Sequence, residues 1–242
     1  MNIKTVEVKS ILSRSRIPGV TYCINPYIGC WHGCRYCYAD FMKKYSNHTE
    51  SWGEFVDIKI NAVEILKKQI KKAKKKTVII SSVTDPYNPL ESKYQITREC
   101  LKILLECQFP ISILTKSPLV VRDIDLFTKF NECEVGLTIT TDNDQIRKIF
   151  EPNSPPIEKR IEALQKLKEH NIKTYIFIGP VLPMNPENLG KKVAPFVDYY
   201  LIDKMNYPNK ILKILRKYKC EFILSEKYFQ NIKNKLESLL KK

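Results

Sequence analysis

The chain predicts an α/β protein built on a parallel sheet covered by helices, and three observations carry that reading. Apolar, β-branched runs recur from residue 20 to residue 203. Amphipathic stretches of helical period lie between them, the alternation expected of parallel strands joined by helical crossovers. Polar residues collect where the apolar runs finish, which a purely structural core does not require.

Taken in order, strands are predicted at 20–25, 77–83, 111–115, 135–141, 174–179 and 199–203. Helices are predicted at 58–74, 97–107, 122–130, 157–170 and 188–196, completing six βα units. Thr97 is placed to cap its helix and Pro110 follows that helix's end. Pro155-Pro156 precede the helix at 157, and Asn171 suits its stop. Beyond residue 209 come a helix at 210–218, a short apolar run at 221–224 and a last helix at 226–240. This tail reads as a short βα extension, adding a seventh strand or crossing the barrel bottom. The domain reading is a lead-in over 1–19, a barrel over 20–206 and an extension over 207–242. Periodicity fits an open doubly wound sheet as well as a barrel. In both, ligands gather at the C-terminal ends of the strands.

With 242 residues, 43% of them hydrophobic, the chain can bury a sizeable core. No apolar run approaches the roughly 18 residues of a membrane span. The first residues contain no apolar signal segment, and eight cysteines without one point to a reducing, cytoplasmic setting. The formal charge of +15 suits either an anionic partner or a solvated surface. Much of the excess lies in Lys67-Lys68, Lys71-Lys72 and Lys74-Lys75-Lys76, on the exposed side and end of a helix. A solvated face is the plainer reading of that run, because no aromatic residue is interleaved for base stacking. Charge therefore leaves nucleic acid as a candidate partner without selecting it.

The most specific motif is Gly29-Cys30-Trp31-His32-Gly33-Cys34-Arg35-Tyr36-Cys37-Tyr38, a Cys-x3-Cys-x2-Cys triplet. Three thiolates on one loop can hold three irons of a 4Fe–4S cube and leave the fourth open, whereas electron-transfer clusters normally close all four. Zinc is the competing reading, but its second ligand pair is missing: His48 and His170 stand alone. His32 is crowded between two ligands. Cys23 reads as a small packed hydrophobe, Cys100 and Cys107 as one core-facing helix side, and Trp31 as a shield over the loop.

The strand ends supply Ser81-Ser82-Val83-Thr84-Asp85, Thr115-Lys116-Ser117, Thr138-Ile139-Thr140 and Gly179-Pro180. Lys116 suits a carboxylate, Ser82 or Thr84 an ammonium or carboxylate, and Thr138 or Thr140 ribose hydroxyls. Together they suit a zwitterionic nucleoside.

With the triplet, the stretches Asn25-Pro26-Tyr27-Ile28-Gly29-Cys30, Thr84-Asp85-Pro86-Tyr87-Asn88-Pro89, Leu114-Thr115-Lys116-Ser117 and Phe150-Glu151-Pro152 resemble the spore photoproduct lyase-like branch of the radical S-adenosylmethionine (SAM) superfamily. The resemblance covers roughly residues 15 to 205. It implies a partial (β/α)6 barrel, a 4Fe–4S cluster on Cys30, Cys34 and Cys37, and SAM at the open iron. It also implies one-electron cleavage of SAM to a 5′-deoxyadenosyl radical, with an external electron donor of ferredoxin or flavodoxin type. Tyr36, Ile178 and Gly179 would border the adenine, Lys116 with Ser82 or Thr84 the methionine end, and Tyr38 would relay hydrogen or touch substrate. One departure is visible. The lyases return hydrogen from a cysteine near the end of the second strand, where this chain has Ser81-Ser82. The resemblance thus implies the cofactor and first step but not the substrate, for which nucleic acid leads. Two alternatives remain: a zinc-stabilised nucleic-acid or protein binding module, and an iron–sulfur sensor without turnover.

Overall fold

The structure is a computed structural model describing residues 1–241. Strands β1 (Asn2–Val6) and β2 (Leu12–Arg14) precede β3 (Tyr22–Ile24), β4 (Tyr27–Gly29) and β5 (Phe55–Lys59). Then come β6 (Val78–Ile80), β7 (Ile111–Thr115), β8 (Cys133–Thr138), β9 (Lys173–Ile178) and β10 (Tyr199–Ile202). Among the described residues they form two sheets, ordered β10-β9-β8-β7-β6-β3-β2 and β1-β5-β4. In the larger sheet every pairing is parallel except β2 with β3. Strand order follows chain order without reversal, so the sheet winds one way, as a barrel does and a doubly wound sheet does not. Strands β2 and β10 are its two edges, and the barrel is partial.

Helices α1 (Ala62–Ile70), α2 (Glu91–Tyr94), α3 (Ile96–Glu106), α4 (Ile124–Phe127) and α5 (Asp144–Phe150) lie between the strands. They are followed by α6 (Ile157–Glu169), α7 (Pro186–Val193), α8 (Leu212–Lys217) and α9 (Glu226–Leu240). The longer helices between the strands cover the sheet through apolar stripes: on α6, Ile157, Ile161, Leu164 and Leu167 are buried at helical spacing. They pack into one continuous core with Ile24, Ile80, Ile113, Val135 and Ile176.

Several expectations are corrected. Residues 58–59 end strand β5 rather than open a helix, because Phe55, Val56 and Ile58 are buried between β1 and β4, and the helix begins at Ala62. The lead-in carries β1 and β2, and α5 was not anticipated. Thr97 lies inside α3, whose N-cap is Gln95; the Thr97 hydroxyl donates to the Pro86 carbonyl (2.6 Å). Cys107 is exposed, since α3 ends before it. Residues Glu221–Leu224 form a 3-10 turn and add no strand. The tail does not cross the bottom. Ile211, Leu215 and Ile223 instead bury against Cys34, Tyr36 and Phe150, beside the cysteine loop. No helix of the described residues is long and apolar enough to cross a membrane.

Candidate active site

A cleft of about 490 Å³ opens at the C-terminal ends of the parallel strands. The cysteine loop forms one wall, starting from β4 rather than directly from the first barrel strand. Gly29 is required at that junction: its φ is +82°, and a Cβ would run into the Phe55 carbonyl oxygen on β5. Cys30, Cys34, Tyr36, Cys37 and Tyr38 all line the cleft, as do Ser82, Thr84, Lys116, Thr138 and Gly179. Thr140 and Ile178 do not. β8 ends at Thr138, and the Thr140 hydroxyl turns away to donate to Glu151 Oε1 (2.8 Å). Ile178 is fully buried, because alternation along the strand sends Phe177 and Gly179 to the cleft side instead.

The second strand end is locked by side chains. Asn25 Oδ1 accepts from the Ser82 and Val83 amides (2.9 and 3.1 Å), and its Nδ2 donates to Cys23 Sγ (3.2 Å). Thus Cys23 is buried and also hydrogen-bonded, its Sγ lying 3.2 Å from Ser82 Oγ. The Thr84 hydroxyl donates to the Gly29 carbonyl. The Tyr38 hydroxyl donates to the Ser82 carbonyl, which holds this ring at the rim. Asp85 accepts from the Thr115 hydroxyl (2.6 Å), the Tyr87 amide (2.9 Å) and the Lys116 amide (2.9 Å). Burial alone would push its carboxyl up; facing His32 and these donors hold it at about 2. His32 Nε2 lies 3.0 Å from Asp85 Oδ2, close but not aligned as a hydrogen bond.

Behind Lys116 lies a residue that site reading missed, although Phe150-Glu151-Pro152 marked its segment. Glu151 is fully buried. It accepts from Arg160 Nη2 (2.6 Å), the Thr140 and Ser154 hydroxyls, and the Tyr36 hydroxyl. Lys116 Nζ stands 3.8 Å from Glu151 Oε1 and 5.8 Å from the Tyr36 ring centre. Burial opposes the Glu151 charge, but Arg160 and Lys116 outweigh it and hold the carboxyl well below its ordinary range. Trp52 and the segment Asp203-Lys204-Met205-Asn206-Tyr207 also line the cleft and carried no sequence signal. Trp31 packs on the main core instead.

The donor set fits a metal cluster. Burial pushes all three thiols up, Cys34 to about 12 against the pull of Lys116. Such thiols ionise when a metal supplies the positive charge. Among the described residues, the buried side-chain nitrogen and oxygen atoms without a partner are His32 Nδ1 and Nε2, Trp52 Nε1 and Ser81 Oγ, and all three residues line this cleft. Buried polar groups are rarely left unpaired in a finished protein, so the cleft is shaped for a polar occupant. A larger hollow, about 660 Å³, lies at the other end of the sheet, among strand starts such as Thr77, Ile111 and Lys173. It holds none of those unpaired atoms.

Comparison with known proteins agrees with this geometry. The Radical SAM superfamily model matches residues 24–192. An uncharacterized protein of Methanocaldococcus jannaschii is 41% identical over 221 residues, 90% of this chain and 82% of the relative. A protein of Pseudomonas phage M6 named Radical SAM Nalpha-GlyT isomerase is 25% identical over 160 residues, 65% of this chain and 32% of the phage protein. Among solved structures, spore photoproduct lyase complexed with dinucleoside spore photoproduct matches with a TM-score of 0.72 at 14% identity, covering 98% of this chain and 78% of the lyase. Radical SAM enzymes use a 4Fe–4S cluster and SAM. The chain therefore belongs to the radical SAM superfamily and is an enzyme of that type, with the fold of spore photoproduct lyase.

Proposed function

We propose that Cys30, Cys34 and Cys37 hold the cluster and that the enzyme directs a SAM-derived radical at a nucleic-acid substrate. Bound there, cluster and SAM would supply one-electron cleavage of the sulfonium–C5′ bond to a 5′-deoxyadenosyl radical, with the electron from an external donor of ferredoxin or flavodoxin type. The protein's part is to orient and exclude. The Lys116 ammonium faces the cleft as a fixed cation for the SAM carboxylate. Glu151 holds Lys116 and Tyr36 in register through its contacts to both. Ser82, Thr84 and Thr138 offer polar groups to the amino acid and ribose, while Tyr36 and Gly179 suit the adenine. Tyr38, its hydroxyl engaged by Ser82, serves at the rim as a substrate contact. The barrel over 20–206 carries all of these, with the tail bracing the cysteine loop.

The SAM reading rests on one observation: the three thiols of the triplet and every unpaired buried polar side chain noted above share a single cleft. The substrate reading rests on the rim. Tyr207, Tyr38, Phe41 and Tyr45 form a chain of exposed rings with centroids 6.4, 6.5 and 6.2 Å apart. Their exposures are 51, 44, 42 and 76%. Lys210 Nζ lies 5.5 Å from the Tyr207 ring. Exposed rings beside lysines suit unstacked bases and their phosphates.

Anaerobic reconstitution with iron and sulfide, then SAM and dithionite, should release 5′-deoxyadenosine. Cys34→Ala should release none, and release by that variant overturns the ligand assignment. Single-stranded oligonucleotide should raise the yield above its uncoupled level. A yield indifferent to DNA and RNA, or protein that takes up zinc and no iron, counts against the respective readings.

A further inference from the structure

The small sheet β1-β5-β4 stands outside the barrel, yet the turn leading into β5 carries Trp52 into the cleft. The Trp52 indole nitrogen is buried and meets no acceptor, and the residue lines the cleft with Cys30, His32 and Cys34. Two glycines set back to back seat it. Gly33 (φ +59°) and Gly53 (φ +100°) both occupy the left-handed region. A Cβ on Gly53 would come within 2.6 Å of Gly33 Cα, and one on Gly33 within 3.5 Å of the Trp52 carbonyl oxygen. The indole stands edge-on to Phe55 at 5.9 Å. Asn153 clamps the same loop, its Nδ2 donating to the Trp31 carbonyl (3.1 Å) and its amide to the His32 carbonyl (3.3 Å). The turn that carries Trp52 is therefore packed directly on the loop that carries Cys30 and Cys34.

An indole N–H can only donate. Left buried without an acceptor it costs about 1–3 kcal/mol, which an acceptor arriving in the cleft recovers. A 4Fe–4S cluster presents only acceptors there, its sulfides and the cysteine sulfurs. The SAM carboxylate is an acceptor too, but its cationic partner Lys116 follows β7, whereas the turn of Trp52 packs against the cysteine loop.

We propose that Trp52 donates a hydrogen bond to a sulfur of the cluster and thereby raises its reduction potential; this rests on the triplet holding a 4Fe–4S cluster. Donation to sulfur favours the reduced, more negative cluster, and hydrogen bonds to sulfur are among the terms that set cluster potentials. Trp52 is thus a positioning residue for electron delivery, not one that touches the reacting atoms.

The test compares the reconstituted full chain with Trp52→Phe, which keeps the ring and removes the donor. Potentials are read without SAM, by titration followed with electron paramagnetic resonance. Trp52→Phe should shift the oxidised-to-reduced ratio at fixed potential about tenfold toward oxidised, equal to ~59 mV more negative for one electron. An unmoved potential at equal iron content overturns the proposal. An unmoved potential together with weaker perturbation of the signal by added SAM assigns the indole to the SAM carboxylate, and also overturns it. A second measurement needs no Trp52 variant. In Trp31→Phe protein grown with ¹⁵N-indole tryptophan, the reduced cluster should show a coupled ¹⁵N, and its absence overturns the proposal. Wild-type protein that assembles no cluster overturns the reading of the triplet, and this proposal with it. A cluster with an unmoved potential overturns the Trp52 assignment alone.

Discussion

Asp85 shows how a single carboxylate can hold a site together. The motif Thr84-Asp85-Pro86-Tyr87 placed it at a strand end with the other candidate ligand groups. In the fold its oxygens are taken by Thr115, Tyr87 and Lys116, with His32 alongside. Burial opposes its charge, yet these partners hold its pKa at about 2, below the ordinary 3.9 or so of an unfolded aspartate. A depressed carboxylate contributes stability that is complete above the unfolded value and is lost as pH falls through the folded one. The contribution is on the order of 2 kcal/mol. Urea unfolding of the metal-free, reduced protein should therefore show Asp85→Asn less stable than wild type at pH 6, with the gap closing between about pH 4 and pH 2. A gap independent of pH would mean that Asp85 carries no linked charge. Glu151 makes a sharper case, because Arg160 is fully buried against it. Glu151→Gln leaves that guanidinium without its anion, a loss of about 3–5 kcal/mol for a broken buried pair. The melting temperature should fall by roughly 10 °C, at about 2–4 °C per kcal/mol for a chain of this size. Unchanged melting would show that Arg160 has found another partner.

Among the elements, legibility tracked the range of the interactions that create each one. All six parallel strands were readable because each is a short apolar run, and the runs other than the edge strand β10 are largely buried. The helices at 157 and 226 were readable from their stripes and flanking residues. The helix expected from 58 starts four residues late, at Ala62: Ile58, Ala62 and Leu66 fit a helical period, and only pairing with β1 and β4 puts residues 58–59 in strand. The 3-10 turn at 221–224 was misread as strand for the converse reason: four apolar-rich residues carry too little pattern. The β4–β5 pair also sets the cysteine loop's origin, which makes Gly29 testable. Gly29→Ala adds a Cβ in the left-handed region against the backbone of Phe55, where neither side can yield cheaply. Iron bound per chain after reconstitution should drop by at least half, with a lower melting temperature. Full loading would mean that β4 can move off β5 without cost to the loop.

Across the whole molecule, two groups of lysines within the net charge of +15 have different prospects. The exposed lysines at 67–76 lead into the start of β6, at the end of the sheet opposite the cleft, which favours the solvated-face reading. The rim holds Lys43, Lys44, Lys204 and Lys210 beside the exposed rings. Replacing Lys74, Lys75 and Lys76 by glutamine should leave affinity for a single-stranded oligonucleotide within about twofold. Tyr207→Ala should weaken it about tenfold, in line with 1–3 kcal/mol per stacked base. Fluorescence anisotropy at fixed salt checks both, and the reverse ranking would move the binding face to the far end of the barrel. The sequence by itself determined the parallel α/β architecture, the cysteine triplet and most of the polar strand ends, because each is written within one short stretch of chain. Only the tertiary structure decided the one-way strand order, and which neighbours of the triplet share its cleft. Trp52, Glu151 and Tyr207 belong to the site although separate segments carry them, and strand register with side-chain packing, not local pattern, determines that they meet.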